Sequence, residues 1–203
     1  MLDPDVKRFV LAELPACPAR VLEVGAGDGD LARALGSAGY EVVAIDPASE
    51  DPAVTRVALH DVDDAPASFD AAVAVVALHH VEPLARSCRR LAELVRPGGR
   101  LVLDEFDVEL FDETAAGWWL AQRRSLGDED RTPAEIIAFL RHHCHSLGTM
   151  RAALEPWFEL GPPVRGPYLY RFSLPPELRA TEEDDIAAGR LPAIGTRLVG
   201  ARR

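Results

Sequence analysis

The sequence predicts an α/β fold whose doubly wound, mostly parallel sheet carries helices on both faces. Three observations support this prediction. The strand-like segment Val21–Val24 leads into a glycine-rich loop and then into a helix-like segment. A second apolar strand, Glu41–Ile45, follows that helix and ends at Asp46. Phe69–Ala77 is an almost unbroken run of small and β-branched apolar residues, which is typical of a strand buried on both faces of a parallel sheet.

Length, charge and cysteine content exclude several classes of protein. A chain of 203 residues is long enough for one α/β domain with a full core and short for two. The net charge of −11 disfavours sequence-independent nucleic-acid binding, which needs clustered lysines and arginines. No apolar run is long enough to span a bilayer, and three widely spaced cysteines predict neither a disulfide framework nor a structural zinc site. We therefore expect a cytoplasmic protein with no nucleic-acid or membrane partner.

Helix and strand signals alternate along the first half of the chain. The predicted elements are a helix at about residues 4–14, a strand at 21–24, a helix at about 30–38, a strand at 41–45 and a strand at 54–59. Asp3 can cap the first helix, and Pro4 suits its first turn. Gly39 predicts the end of the second helix.

The second half of the chain carries further helix and strand signals around one strong helix start. The predicted elements are strands at 69–77 and 100–104 with a helix between them, a helix ending near residue 127, a helix at 132–147, strands at 157–160 and 168–174, and a short helix at 181–189. Thr132, Pro133 and Glu135 combine an N-cap, a first-turn proline and a capping box. The last two strands predict a terminal antiparallel pair. With no internal repeat or linker, residues 1–203 predict a single domain.

The loop after the first strand is a predicted ligand-binding site. Gly25, Gly27 and Gly29 stand at every second position, where the main chain can take positive φ or lie close to a ligand. A loop that leads into a helix also presents unpaired N–H groups. The dinucleotide fingerprint needs a small residue at its third position, and here that position is Asp30. A nicotinamide-dependent oxidoreductase is therefore kept only as the weaker alternative.

The motif Glu23-x-Gly25-x-Gly27-x-Gly29 resembles the first motif of the class I S-adenosylmethionine-dependent methyltransferases. Later motifs follow in the order of the small-molecule members of that group: the apolar strand, Leu78-His79-His80-Val81, a helix, Arg96-Pro97-Gly98-Gly99 and another strand. The resemblance spans residues 19–106. It implies S-adenosylmethionine as cofactor, S-adenosylhomocysteine as product, and a Rossmann-like sheet of seven strands that ends in an antiparallel pair.

The resemblance also implies which residues contact the cofactor. These are Glu23, Gly25, Ala26, Gly27, Asp46, Pro47, Asp61, Val62 and Ala77. Glu23 would meet the methionine ammonium, and the glycine loop would hold the methionine backbone. Asp46 lies 17 positions after the last loop glycine, close to the roughly 20-residue spacing at which an acid reaches ribose hydroxyls. Asp61 and Val62 match the adenine site, and Ala77 would line the floor near the methyl group. Acids around the loop suit a ligand that carries an ammonium and a sulfonium.

Methyl displacement from a sulfonium places few demands on side-chain chemistry. The protein must align the acceptor with the departing sulfur and exclude water, so no metal is expected. A base helps when the acceptor is a hydroxyl. His79 and His80 are the candidate catalytic bases, because they follow the central strand at the edge where ligands gather. The alternative is that they cap the next helix and pack in the loop. His142 and His145 share a helix face but lack a third metal ligand.

The acceptor is the least determined part of the prediction. Residues 107–155 lie where the family places variable substrate-side insertions, so Trp118 and Trp119 are candidate substrate-pocket residues; the alternative is that they pack in the core. The predicted function is transfer of a methyl group from S-adenosylmethionine to a small-molecule acceptor by direct displacement. A non-catalytic S-adenosylmethionine-binding or regulatory module is the main alternative, since no base is obvious. Oxygen, nitrogen and carbon acceptors stay open, and so does the oligomeric state.

Overall fold

Seven strands form one mixed sheet within residues 2–127 and 130–203, the part of the chain that the computed structural model describes. Their bounds are Arg20–Val24 (β1), Glu41–Ile45 (β2), Phe69–Val75 (β3), Val95–Phe106 (β4), Phe158–Leu160 (β5), Val164–Gly166 (β6) and Gly195–Arg202 (β7). The strand order is β2-β1-β3-β4-β7-β5, and β6 also pairs with β7. The pairs among β1 to β4 are parallel, whereas β5 and β6 each run antiparallel to β7. The predicted α/β fold class, with its terminal antiparallel strands, is confirmed.

Seven α-helices accompany these strands in the same described ranges. Their bounds are Pro4–Glu13 (α1), Asp30–Ser37 (α2), Leu84–Leu94 (α3), Glu113–Ser125 (α4), Pro133–His143 (α5), Leu147–Leu154 (α6) and Leu178–Ala187 (α7). Among the described residues, no helix combines the length and the apolar character needed to span a bilayer.

The described residues fall into two compact units. The first unit comprises residues 2–105, 148–163 and 198–203, and the second comprises residues 106–127, 130–147 and 164–197. The expectation that residues 1–203 form one methyltransferase domain stays a prediction.

The first unit is built around β1. Val21 of this strand is fully buried and lies opposite Val42 of β2 on one side and Ala71 of β3 on the other. Both pairings are parallel, and parallel neighbours require crossover connections, which α2 supplies between β1 and β2. The carboxyl ends of the three strands therefore meet at one edge of the sheet.

Helix α1 belongs to the core of this unit. The side chain of Asp3 accepts a hydrogen bond of 2.7 Å from the N–H of Asp5, as expected of an N-cap. Val6 and Val10 are buried in a cluster with Leu35 of α2 and residues of the sheet. The apolar stripe of this helix therefore packs on the sheet.

The predicted strand at residues 54–59 is wrong. This segment, which lies entirely within the described residues, makes a single parallel bridge, between Thr55 and Ile45. The N–H of Val57 then donates a hydrogen bond to the carbonyl of Thr55, and a 3₁₀ turn begins at Leu59. Val54 is buried and packs against side chains of the glycine loop and of β2. This burial explains why the residue is apolar, although the segment does not pair as a strand.

The predicted strand at residues 168–174 is also wrong. The N–H groups of residues 168–170 donate to the carboxylate of Glu182 over 2.7 to 2.9 Å, so they cannot join a strand ladder. A 3₁₀ turn forms there instead. The antiparallel partner of β5 is β7, at Gly195–Arg202, in a stretch where the sequence predicted no helix or strand.

Candidate active site

A cavity of about 450 Å³ lies at the carboxyl ends of β1, β2 and β3. Its lining includes Gly25 after β1, Asp46 and Pro47 after β2, and Ala77 and His80 after β3. This is the edge at which open α/β sheets bind ligands, and the volume is in the range of small-molecule sites. The structure thus brings together residues that the sequence assigned to three separate strand ends.

The glycine loop is held in a fixed shape by the main chain around it. The N–H groups of Gly25 and Ala26 both donate to the carbonyl of Ile45, over 2.8 and 3.1 Å. Gly25 has a φ of +71°, and a Cβ added there would overlap the Cβ of Ala77. The close approach of these two residues therefore requires glycine at position 25.

Asp46 connects the end of β2 to this loop. Its Oδ2 accepts a hydrogen bond of 3.0 Å from the N–H of Gly27, and its Oδ1 accepts one of 2.8 Å from the N–H of Ala48. The hydroxyl of Ser49 adds a hydrogen bond of 2.5 Å to the carbonyl of Gly27. Gly27 and Asp46 also line an adjoining, more open cleft of about 490 Å³.

Asp30, which breaks the dinucleotide fingerprint, takes part in a network around Arg33. The guanidinium contacts Asp30 at 2.7 Å and Asp51 at 2.9 Å, and it donates to the carbonyl of Asp28 over 2.7 Å. Hydrogen bonding to Arg33 lowers the pKa of Asp30, and the same pairs raise the pKa of Arg33. All of these groups are solvent-accessible, so the network orients the loop without burying charge.

Glu23 is a buried acid without a complete set of partners. The residue is 4% exposed, and its Oε2 has no hydrogen-bond partner among the described residues. Burial raises the pKa of this carboxyl to about 8; the negative charge of Asp28 adds to the rise, and Arg33 and the N–H of Ala32 oppose it. The carboxyl is therefore protonated at neutral pH, and a cationic group is the partner that would favour its ionised form.

The two candidate catalytic histidines occupy different environments. His80 is exposed and lines the cavity, whereas His79 is 3% exposed and is not among the cavity-lining residues. The Nδ1 atom of His79 lies 2.7 Å from Oε2 of Glu105, and the rings of the two histidines are 4.1 Å apart. The structure thus brings His80 to the cavity and places His79 behind it.

The predicted adenine residues lie beside the cavity rather than in its lining. Asp61 is exposed and faces Arg86 at 3.3 Å, and the carbonyl of Val62 accepts hydrogen bonds from Arg90. Ala58 and Leu59, just before them in the chain, do line the cavity.

The two tryptophans of α4 are held inside the second unit. Trp119 is 2% exposed, donates through Nε1 to the carbonyl of Phe172 and stacks on that ring at 4.7 Å. Trp118 is partly exposed, and its Nε1 donates to Asp185 over 2.8 Å. Trp119 thus makes packing contacts, and a substrate role for either tryptophan stays a prediction.

Glu105 is the functional candidate that the sequence analysis missed. It stands at the carboxyl end of β4, beside the strand that delivers Ala77 and His80, and its side chain is buried. The signal was present in the sequence, because Asp104 and Glu105 are acids that follow an apolar strand. Neither residue belongs to a recognisable motif, so only the hydrogen bonds of Glu105 to residues 77–79 distinguish it from Asp104.

The residues present fit S-adenosylmethionine. The orphaned Oε2 of Glu23 suits an ammonium group, and the cavity lined by Gly25 and Asp46 offers a carboxylate that suits ribose hydroxyls. The third position of the dinucleotide fingerprint is occupied by Asp30 in the first turn of α2, where its carboxylate would repel a pyrophosphate bound at that helix N-terminus. This argues against a dinucleotide at the same site.

Comparison with known proteins agrees with this chemistry. A family model described as a methyltransferase domain matches residues 2–146. The ubiquinone biosynthesis O-methyltransferase of Xylella fastidiosa (strain 9a5c) is 33% identical over 189 residues, which cover 77% of this chain and 73% of that protein.

Two solved structures share the fold. The S-adenosylmethionine-dependent methyltransferase from Mesorhizobium loti has a TM-score of 0.61 at 20% identity, covering 98% of this chain and 96% of that one. Phosphoethanolamine N-methyltransferase 2 of Haemonchus contortus, in complex with S-adenosyl-L-methionine, has a TM-score of 0.63 at 11% identity, covering 98% of this chain and 52% of that one. The chain therefore belongs to the class I S-adenosylmethionine-dependent methyltransferases, enzymes that use S-adenosylmethionine as methyl donor.

Proposed function

We propose that this methyltransferase acts on a small-molecule acceptor by direct displacement, within one domain that covers residues 1–203. The observation that carries the proposal is the cavity at the carboxyl ends of β1 to β3, whose lining includes both Gly25 of the glycine loop and His80. The net charge of −11 adds support, since an acidic protein is poorly suited to grip a nucleic-acid acceptor.

In this proposal each part of the cofactor is bound by a different set of residues. S-adenosylmethionine supplies a methyl group on a sulfonium, which leaves as a neutral thioether. Glu23 pairs with the ammonium, and Gly25–Gly27 lie along the methionine part. Asp46 and Pro47 hold the ribose, while Asp61 and Val62, with the cavity-lining residues just before them, form the adenine side. Ala77 forms the floor near the methyl group.

We assign the base role to His80 rather than to His79. The ring of His80 lines the cavity, whereas that of His79 is buried and held by Glu105. His80 would take the proton of a hydroxyl acceptor as its oxygen attacks. The Xylella relative is an O-methyltransferase by name, which favours oxygen as the accepting atom. Trp118 and Trp119 are proposed for the acceptor side.

A cytoplasmic location is also part of the proposal. The three cysteines, Cys17, Cys88 and Cys144, are widely spaced along the sequence, so no disulfide framework is expected, as in a protein kept in a reducing compartment.

The acceptor class can be tested by following a labelled methyl group. The purified protein is incubated with S-adenosylmethionine tritiated on the methyl group and with a cell extract, and the extract is then separated into small-molecule, protein and nucleic-acid fractions. Label in the small-molecule fraction supports the proposal, and label confined to protein or nucleic acid overturns it. The Asp46→Ala variant, assayed at the same sub-saturating concentration of S-adenosylmethionine, is the control, because label that comes from this cofactor site should fall with its weaker binding.

A further inference from the structure

The carboxylate of Glu105 is a buried acceptor that joins two strand ends. The residue is 2% exposed at the end of β4. Its Oε1 accepts hydrogen bonds from the N–H groups of Ala77 over 2.9 Å and Leu78 over 2.6 Å. Its Oε2 lies 2.7 Å from Nδ1 of His79. One side chain thus contacts three consecutive residues after β3.

The segment that Glu105 contacts has a backbone that needs outside support. Val76 has a φ of +50°, an unfavourable conformation for a β-branched residue. Its N–H donates to the carbonyl of Asp104 over 2.8 Å. Ala77, the next residue, packs so closely on Gly25 that no Cβ fits there. The shape of the cavity floor therefore depends on contacts from the end of β4.

We propose that Glu105 is a positioning residue for methyl transfer: it fixes the Val76–His80 segment against the glycine loop and sets the tautomer of His79. In this arrangement Oε2 of Glu105 is the acceptor and Nδ1 of His79 carries the proton that it donates. The His79 ring, held in this way, lies 4.1 Å from the ring of His80 at the cavity. The proposal rests on the established use of S-adenosylmethionine and is independent of the acceptor.

Glu182 provides a matched comparison in the second unit. It is also fully buried, and its carboxylate also accepts main-chain N–H groups, from Tyr168, Leu169 and Tyr170. Glu182→Gln makes the same side-chain change in a similar main-chain setting, at a residue that is not part of the cavity lining. A general loss of stability and a specific loss of cofactor binding can therefore be separated.

The test uses three variants of the full chain: Glu105→Leu, Glu105→Gln and Glu182→Gln. Glu105→Leu removes the acceptor for two N–H groups, of which that of Leu78 is buried, so we expect S-adenosylhomocysteine to bind at least about tenfold more weakly. Glu105→Gln keeps an oxygen for those N–H groups, so we expect a smaller loss, about two- to tenfold. Titration calorimetry measures each affinity, and thermal melting of the unliganded proteins measures stability.

The Glu105→Gln variant also allows a measurement that would not change if Glu105 had only a structural role. Its amide oxygen faces the two N–H groups, so its NH₂ group faces His79 and donates to Nδ1. The proton of His79 must then move to Nε2. Long-range ¹H–¹⁵N spectra of histidine-labelled protein report which nitrogen is protonated.

The proposal is supported if His79 is protonated on Nδ1 in the parent and on Nε2 in Glu105→Gln, and if both Glu105 variants bind S-adenosylhomocysteine more weakly than Glu182→Gln does. It is overturned if the tautomer is the same in parent and variant, or if the affinity of the Glu105 variants equals that of Glu182→Gln. Should Glu105→Leu fail to melt cooperatively, Glu105→Gln decides alone. A failure to find a small-molecule acceptor would leave these measurements unaffected.

Discussion

Asp46 accepts a hydrogen bond of 3.0 Å from the main-chain N–H of Gly27, so the residue after β2 holds the loop that follows β1. The same carboxylate lines both the cavity and the adjoining cleft. One side chain therefore shapes the loop and faces the space proposed for the ribose.

Replacing this carboxylate should weaken cofactor binding strongly. In Asp46→Ala the N–H of Gly27 loses its acceptor, and the proposed ribose contact is lost as well. We expect the affinity for S-adenosylhomocysteine to fall by about 10- to 100-fold. Titration calorimetry measures the change. Asp63→Ala removes an exposed acid of a loop outside the cavity lining and should bind like the parent. Equal affinities for the two variants would contradict the role given to Asp46.

Gly25→Ala tests the close approach between the glycine loop and the segment after β3. The new Cβ meets the Cβ of Ala77, and the φ of +71° is unfavourable for alanine. We expect the free energy of unfolding to fall by about 2–4 kcal/mol and binding of S-adenosylhomocysteine to be lost.

Gly36→Ala is the matched control for this prediction. Gly36 lies within α2, and a Cβ added there has no neighbour within 4 Å. Alanine should stabilise the protein by about 0.5–1 kcal/mol and leave binding unchanged. If Gly25→Ala behaved like Gly36→Ala, the close contact between the glycine loop and the segment after β3 would not be required.

The sequence could predict the elements whose signals are local. The strand, glycine loop, helix and second strand around Gly25 follow one another within a short stretch, and each carries its own pattern. Helix α5 begins at the capping box of Thr132 and Glu135, as predicted. It ends at His143 rather than near residue 147, because helix ends depend on the tertiary contacts of the last turn.

The errors arise where a side chain elsewhere in the chain decides the backbone pairing. Residues 168–170 have strand-like composition, but their N–H groups are taken by Glu182. β7 contains glycines and arginines, and its pairing with β5 is set by residues distant in sequence. The contact between Glu105 and His79 also joins residues that are distant in the sequence, so no local motif could predict it.

His80→Gln tests the proposed base. If the acceptor is a hydroxyl, removal of the imidazole should lower kcat by about 100- to 10,000-fold. The affinity for S-adenosylhomocysteine should change much less, because the proposed role of His80 concerns the acceptor proton. Steady-state kinetics with the identified acceptor measure kcat. His142→Gln, an exposed histidine of α5, should retain the parent kcat. If kcat were unchanged in His80→Gln, His80 would not act as a base, and catalysis would depend on the alignment of acceptor and methyl donor alone.

Glu23 links stability to pH in the unliganded protein. Its pKa in the folded state is about 8, above the value of 4.5 for an unperturbed glutamate. Between these values the unfolded chain loses the proton and the folded chain keeps it. The contribution of this group to stability is therefore largest below about pH 4.5, falls as the pH rises, and levels off above about pH 8.

Cofactor binding should oppose this trend, because an ammonium beside Glu23 favours the carboxylate. At pH 7 the parent should release close to one proton on binding S-adenosylhomocysteine, and its affinity should rise by up to about tenfold per pH unit below about pH 8. Calorimetry in two buffers of different ionisation enthalpy counts the protons. Glu23→Gln should bind weakly with a flatter pH dependence, while Asp63→Asn keeps the parent slope. If Glu23→Gln shows the same slope as the parent, the proton comes from another group and the ammonium does not meet Glu23.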